Sequence, residues 1–505
     1  MPWKELSDNR KFLDSETGLP AKKYGDLSVA LVYPGDYSAG MSSLGFQLIY
    51  RYLNIHDNIR CERAFSNPSK GYSFESGARL SDFDVISFSL SFELQYFEII
   101  RILESAKIPL LSKDRTGKDP LITAGGICVS MNPGPLSEII DVFWAGDFEA
   151  GGYAMYEAIL NTRGKSRKDA LSSISGINGC LVPLSDPQKR CAPQAADVSL
   201  LRRSCSCFIS PKAQFNMWLV EVARGCNWNC RFCLIKWLCG KSRFRLKEDI
   251  IADALEGAKK GQKVGLLGPS VLDHPDIESI MEELVSEKAV FSISSARADR
   301  LNIRTLELLV KGGIKQLTVA PETPDPEKRR RLNKNFDNAV FFENLEKCRQ
   351  SGIQSVKLYF MFGLPFGDGI DFLRDFVKKA AGIVNISVGF SAFVPKPHTP
   401  FQRLGMMSRR ELARTRADVL DILKKLKIKS VSFEDIRTSV IQGALSRSGR
   451  EMTKFLKSGR IGVKDAEECA SREYKPGETL PWNNIISPYD EKLLSEEKDK
   501  ALCPG

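Results

Sequence analysis

"RGCNWNCRFC", residues 224–233, sets three cysteines, Cys226, Cys230 and Cys233, within eight positions. A tetrahedral zinc site takes four ligands, and disulfides consume thiols in pairs. Three is the number needed when a 4Fe–4S cluster, each of whose four corners is normally held by a cysteine thiolate, keeps one iron open to a small-molecule ligand. With 13 cysteines in 505 residues, a CxxxCxxC spacing arises by chance about 0.01 times per chain. A zinc knuckle completed by Cys239 or a remote histidine is the competing use of the same loop.

The loop follows "WLVEVAR" (218–224), an apolar, β-rich run. Further runs of this kind are "KVGLLG" (263–268), "VFSISS" (290–295), "KQLTVAP" (315–321), "SVKLYFMF" (355–362) and "SVGFSAFV" (387–394), with helix-like segments between them. Six β/α units predict an incomplete TIM-like barrel, (β/α)6 in place of eight, with its chemistry at the C-terminal strand ends. The cysteine loop stands at such an end. Upstream, "LSVALVY" (27–33), "DVISFSL" (84–90), "PLITAGG" (120–126) and "DVFWAGD" (141–147) alternate with the helical runs "LGFQLIYRYLN" and "ELQYFEIIRILESA". That order predicts an open parallel, Rossmann-like sheet. Residues 163–212 are polar and read as a linker, and the last stretch holds basic helical segments and "TLPWN". The expected fold is α/β throughout: an N-terminal open parallel sheet over 1–170, a linker over 171–212, a partial barrel over 213–410 and a small, mostly helical C-terminal module over 411–505.

Hydrophobic content of 43% with 27% charged residues is that of a globular chain. No run of about 18 apolar residues predicts a membrane span. The start, "MPWKELSDNRKFLDSE", lacks a signal-peptide core. A cytoplasmic address is expected, and in a reducing compartment the cysteines are not a disulfide framework. The net charge of +11 fits a solvated basic surface or contact with a polyanion.

"CNWNCRFC", with an aromatic residue before the last cysteine, resembles the signature of the radical SAM superfamily. The resemblance implies that Cys226, Cys230 and Cys233 hold a 4Fe–4S cluster. Its open iron would bind S-adenosylmethionine (SAM) and cleave it to a 5′-deoxyadenosyl radical that attacks an unactivated C–H bond. Phe232 would pack against the adenine. "LLGPSVLDHP" (266–275) stands where the family has a Gly-Gly-Glu-like motif for the SAM amino group, altered here to Gly268-Pro269-Ser270. "SISSARADRL" (292–301) brings Ser294, Ser295 and Arg297 to ribose hydroxyls and the SAM carboxylate, and "TVAPET" (318–323) brings Glu322 as a polar contact. "FMFGLP" (360–365) resembles the motif whose glycine, Gly363, lets backbone approach adenine. Arg297 and Glu322 also admit a structural ion pair, and Gly268 and Gly363 tight strand-end turns.

The N-terminal region resembles the cobalamin-binding-like domain that precedes many radical SAM barrels. Gly125-Gly126 and "AGDFEA", Gly146 to Glu149, would line the groove for the nucleotide tail, with Ser87 and Ser89 facing it. The loop that carries a cobalt-ligating histidine in such domains is here "PGDYSAGMSSLGFQ" (34–47), which has none; the chain holds only His56, His274 and His398. Cobalamin would bind without a protein imidazole, or the fold persists as a scaffold. Over most of its length the chain resembles an uncharacterised branch of the superfamily, with "CERAF", "APET…LNKN", "KPHTPF" and "LPWNN" among the shared segments. The outcome would be methylation with cobalamin, or sulfur insertion with an auxiliary cluster on Cys205 and Cys207. A flavodoxin- or ferredoxin-type donor would supply the electron, and RNA or protein is the substrate class considered. The alternative from another class is a non-catalytic iron–sulfur or zinc protein that senses redox state or binds nucleic acid.

Overall fold

The computed structural model describes residues 9–20, 22–68 and 70–503. The polar start of the chain, Met1–Asp8, and Pro504-Gly505 lie outside the described residues.

The N-terminal sheet contains β1 (Leu27–Asp36), β2 (Ile59–Asn67), β3 (Val85–Ser89), β4 (Leu121–Gly125), β5 (Val142–Trp144) and β6 (Cys180–Leu181), in the order β2-β1-β3-β4-β5-β6. All pairings are parallel except that of β6. Side chains alternate between two cores, as the period of a strand requires. Leu27, Val29, Leu31 and Tyr33 enter one core. Ala30 and Val32 enter the other, which runs on without a break into the second half of the chain.

β1 outlasts its expected end. It continues through Pro34-Gly35 to Asp36 by way of a register shift after Tyr33. β2 is absent from the strands expected from sequence, because Arg60, Glu62 and Arg63 break its apolar pattern. In the fold those charges pair: Arg63, 1% exposed, binds Glu16 at 2.7 Å and Glu75 at 2.6 Å. Residues 163–212 are also more than a linker. They carry the helix Arg167–Ser175, the antiparallel strand β6, and Phe208–Ile209, which pairs with Thr17–Gly18.

The second half holds β7 (Trp218–Glu221), β8 (Val264–Leu267) and β9 (Phe291–Ile293) in one parallel sheet. A second parallel sheet comprises β10 (Gln316–Glu322), β11 (Ser355–Phe362), β12 (Asn385–Ala392) and β13 (Val431–Phe433). A parallel bridge between Ala296 and Val319 joins the two. Helices such as Lys247–Lys259, Ile303–Lys311 and Ile370–Ile383 bury their apolar stripes against one face.

"LPWNN" (480–484) is a strap. The Trp482 indole N–H donates to Gln402 Oε1 (2.9 Å), the Arg190 guanidinium donates to the Asn483 carbonyl, and Cys191 N–H donates to the Asn484 carbonyl. The final helix, Glu491–Leu502, folds back beside the loop after β12 through Glu491, which binds Arg403 and Gln402. No helix among the described residues is long and apolar enough to cross a membrane.

His398, in the loop after β12, is buried with φ +60° and hydrogen-bonds the Met131 carbonyl at 2.9 Å, tying that loop to the N-terminal half. Burial lowers its pKa from 6.5 to about 4. The folded state thus keeps His398 neutral while the unfolded chain takes up a proton, so stability is full above the unfolded value and declines on acidification. The decline reaches roughly 3 kcal/mol as pH approaches the folded value. Urea midpoints between pH 7 and 5 should show it. His398→Asn, which tolerates a left-handed backbone, should flatten that slope.

Candidate active site

The cysteine loop leaves β7 through Ala223–Arg224, which pairs antiparallel with Arg243–Phe244 and so closes the excursion at its base. Gly225 is required there. Its φ is +70°, and a Cβ would lie 2.2 Å from the Lys241 carbonyl oxygen. Cys226 N–H donates to the Gly240 carbonyl at 3.0 Å, and the Trp237 indole N–H donates to the Cys230 carbonyl at 2.9 Å. Cys233 caps the helix Leu234–Cys239. On the far side the Arg231 guanidinium donates to the Arg330 and Arg331 carbonyls and to Glu497 of the final helix.

Cys226 and Cys230 are 9% and 7% exposed. Burial raises the pKa of both thiols and pushes Cys233 up to about 12. At Cys230 the positive charges of Lys334 and Arg297 work against that rise. The chain alone therefore does not keep these sulfurs as thiolates; a cation bound there would have to bring the compensating charge.

Among the described residues, the only set of three His, Cys, Asp or Glu ligand atoms lying within 4.8 Å of one another is Cys205, Asp253 and Glu256. The loop sulfurs are spread wider than that. Ligands about 2.3 Å from one shared zinc would stand within roughly 4 Å of each other, which the three loop sulfurs as a set do not. The histidines that a zinc knuckle would need are engaged elsewhere. His274 uses Nε2 on the Arg245 carbonyl and Nδ1 on Asp276 N–H, and His56 stacks on Tyr153 at 3.6 Å. Cys239 lines a cavity with Ile235, Leu238, Asp147 and Arg243.

The remaining residues named from the sequence gather at one end of the parallel strands. Gly268, Pro269 and Ser270 follow β8; exposed Ser294 and Ser295 follow β9; Glu322 ends β10; Gly363, with φ +79°, follows β11. Phe232 packs in an apolar cluster with Leu332, Leu364, Phe393, Phe401 and Ala501. Glu322, a non-glycine residue with φ +66°, sits at a register shift and binds Lys334 Nζ at 2.7 Å. Backbone held in that region signals a site that the surrounding structure over-determines. Arg297 lies flat on Trp228, 3.7 Å from the ring centroid. Its fork is engaged by Asp299 at 3.1 and 3.0 Å, and Nη1 faces Cys230 Sγ at 3.8 Å. Each of Arg297 and Glu322 therefore has an ion-pair partner, though not the other.

At the C-terminal edge of the N-terminal sheet two cavities adjoin, sharing Ile49, Gly126, Gly146 and Phe148. The smaller, about 90 Å³, is lined by Ser87, Ser89 and Gly125. The larger, about 450 Å³, reaches Gly225, Gly268 and Pro269 beside the cysteine loop. Gly126 has an internal reason to be glycine as well: φ is +107°, and a Cβ would lie 2.4 Å from the Leu90 carbonyl.

Sequence reasoning places Asp147 and Glu149 in this groove but misses what they bind. Arg224 donates to Glu149 at 3.0 and 2.9 Å and to Glu221 at 2.7 and 2.9 Å, with Asp147 at 3.4 Å. Arg243 takes the other oxygen of Asp147 at 2.8 Å. Burial works against the Arg224 charge, but its hydrogen bonds to Glu149 and Glu221 more than offset it and hold its pKa above the ordinary value. The interface between the two halves thus ends two residues before Cys226. Lys334 is missed too, although the motif "LNKN" contains it. Arg224→Met leaves two half-buried carboxylates unpaired and should cost about 3 kcal/mol of stability, read as a lower urea midpoint. Arg224→Lys should recover part of it.

Residues 45–183 match the family described as radical SAM proteins, N-terminal, and residues 220–377 match the radical SAM superfamily. An uncharacterised protein of Methanocaldococcus jannaschii is 28% identical over 439 residues, 85% of this chain and 90% of its own length. The ribosomal protein uS12 methylthiotransferase RimO of a Thermoanaerobacter species is 23% identical over 262 residues, 48% of this chain and 56% of its own. Among solved structures, the radical S-adenosylmethionine methyltransferase TsrM of Kitasatospora setae, with cobalamin and a 4Fe–4S cluster bound, has a TM-score of 0.58 at 14% identity, covering 88% of this chain and 99% of that one. The cobalamin-dependent S-adenosylmethionine radical enzyme OxsB has a TM-score of 0.52 at 15% identity, covering 83% of this chain and 66% of that one. These two likenesses are of fold. With one match spanning most of the N-terminal sheet and the other the strands that carry the cysteine loop, the chain belongs to the radical SAM superfamily and is one of its enzymes.

Proposed function

We propose that Cys226, Cys230 and Cys233 hold a 4Fe–4S cluster whose open iron binds SAM, and that the enzyme methylates an unactivated C–H position with the help of a corrinoid. The observation that carries this reading is the loop itself. Three thiols, Cys226 and Cys230 buried and Cys233 half-buried, stand at the strand ends that also bear Gly268, Ser294, Glu322 and Gly363. On this reading the two parallel sheets are one partial barrel, (β/α)6 over 213–410, extended by β13 from the C-terminal module (411–505) and joined through 171–212 to a cobalamin-binding-like domain (1–170).

When bound, cluster and SAM supply a carbon radical that removes a hydrogen atom from an unactivated position, and a corrinoid supplies the methyl group. The chain's own residues position and exclude. Phe232 covers the adenine with its apolar cluster, Gly363 lets backbone come close, and Ser294 and Ser295 meet the ribose hydroxyls. Glu322 and the carbonyls of Gly268, Pro269 and Ser270 accept from the amino group. The joined cavities suit a corrinoid whose tail enters between Ser87, Gly125 and Gly126. Among the described residues no histidine lines either cavity, so binding would proceed without a protein imidazole.

Methyl transfer is favoured over sulfur insertion because Cys205 and Cys207 enter different hydrophobic cores. They do not converge on a shared auxiliary cluster. The inner face of the second sheet leaves Lys357 and Tyr359 open, Tyr359 being 37% exposed. RNA and protein are thus the substrates to screen first, with a flavodoxin- or ferredoxin-type donor in a reducing, cytoplasmic setting.

Anaerobically purified enzyme supplied with SAM and dithionite should release 5′-deoxyadenosine. Cys230→Ala should reduce release to background, and unchanged release would remove the cluster from the mechanism. For the corrinoid, Gly45 lines the larger cavity, and a Cβ added there would meet no atom within 4 Å. Gly45→Phe should fill the cavity without disturbing the fold. Denatured wild-type protein from corrinoid-fed cells should show the corrinoid's visible bands, and Gly45→Phe should lose them at unchanged iron content of the native protein; a wild type without those bands would return the domain to a scaffold.

A further inference from the structure

Arg297 is expected, from its place after β9, to reach the SAM carboxylate, but its fork is already engaged. The guanidinium lies on Trp228 at 3.7 Å, and the Trp228 indole N–H is itself anchored on Asp273. Nε and Nη2 grip the two oxygens of Asp299. What remains, Nη1, faces Cys230 Sγ at 3.8 Å. An aromatic face and a bidentate carboxylate together fix the plane of an arginine fork, and here that plane delivers one N–H to a sulfur. The side chain is only 10% exposed, so water screens little of its charge.

We infer that Arg297 is a positioning residue that donates to the sulfur of Cys230 and sets the reduction potential of the cluster, and is not a ligand of the SAM carboxylate. The inference rests on the proposed cluster at Cys226, Cys230 and Cys233. A donor aimed at a ligand sulfur stabilises the extra electron of the reduced state, and hydrogen bonds to the sulfurs are among the levers that tune such clusters. Asp299 moderates the effect, because its carboxylate offsets part of the guanidinium charge. The two residues should therefore move the potential in opposite directions when neutralised, which a purely structural role would not do.

The test is a redox titration of the full chain, reconstituted with iron and sulfide, followed by electron paramagnetic resonance in the absence of SAM. Arg297→Gln should carry the same iron and sulfide as wild type. At a fixed solution potential its reduced-to-oxidised ratio should fall about tenfold, which for a one-electron couple is about 59 mV. Arg297→Lys should recover part of the shift. Asp299→Asn should raise the ratio, and it carries the measurement should Arg297→Gln fail to hold iron. Wild-type potentials in iron-loaded Arg297→Gln or in Asp299→Asn would overturn the inference. So would weaker SAM binding at an unchanged potential in Arg297→Gln, the result expected of a carboxylate ligand. A wild-type protein that takes up no cluster would instead overturn the proposed function on which the inference rests.

Discussion

One guanidinium among three carboxylates fixes where the cysteine loop begins. Arg224 binds Glu221 at the end of β7 and Asp147 and Glu149 from the N-terminal half. Such a partly buried cluster is held less by net attraction than by the cost of leaving any member unpaired. It therefore acts as a registration device: the two halves meet in the one arrangement that satisfies all four groups. Gly225 and Cys226 follow directly, so the loop takes its starting point from the interface. The larger cavity has Asp147, Glu149 and Arg224 in its wall, which makes the same charges part of the groove and of the loop's foundation.

The second half was largely legible in the sequence. Runs such as "SVKLYFMF" and "SVGFSAFV" coincide with β11 and β12 because strands covered on one face by helices and flanked on both sides by parallel neighbours are mostly apolar. What stayed hidden was polar and buried. β2 carries Arg60, Glu62 and Arg63, whose pairing partners, Glu16 and Glu75 among them, lie in other segments. A one-dimensional pattern scores those residues as exposed. The same blindness covers Asp147, Glu149 and Lys334: the charges were visible, but their partners come from elsewhere in the chain. The break read at Pro34-Gly35 failed for another reason, since a register shift lets β1 pass through both residues.

The loop is pinned at its backbone more firmly than its thiols are charged. Its backbone is pinned by Gly225, by the Trp237 indole and by the Arg231 guanidinium, while burial leaves its thiols harder to ionise than free cysteine. On the proposed function, geometry is supplied in advance and the compensating charge would come with iron; loading would then add to stability, because bound metal favours the folded chain.

The last helix bears on how the protein is made. Glu497 grips Arg231, and Ala501 closes the apolar cluster around Phe232. One wall of the cysteine pocket thus comes from a helix that lies 266 positions further along the sequence. At synthesis rates of about 5–20 residues per second, the thiols wait on the order of tens of seconds before that wall exists. During the interval the thiols lack that cover and stand open to oxidants. Closure of the cysteine pocket is thereby tied to the progress of translation.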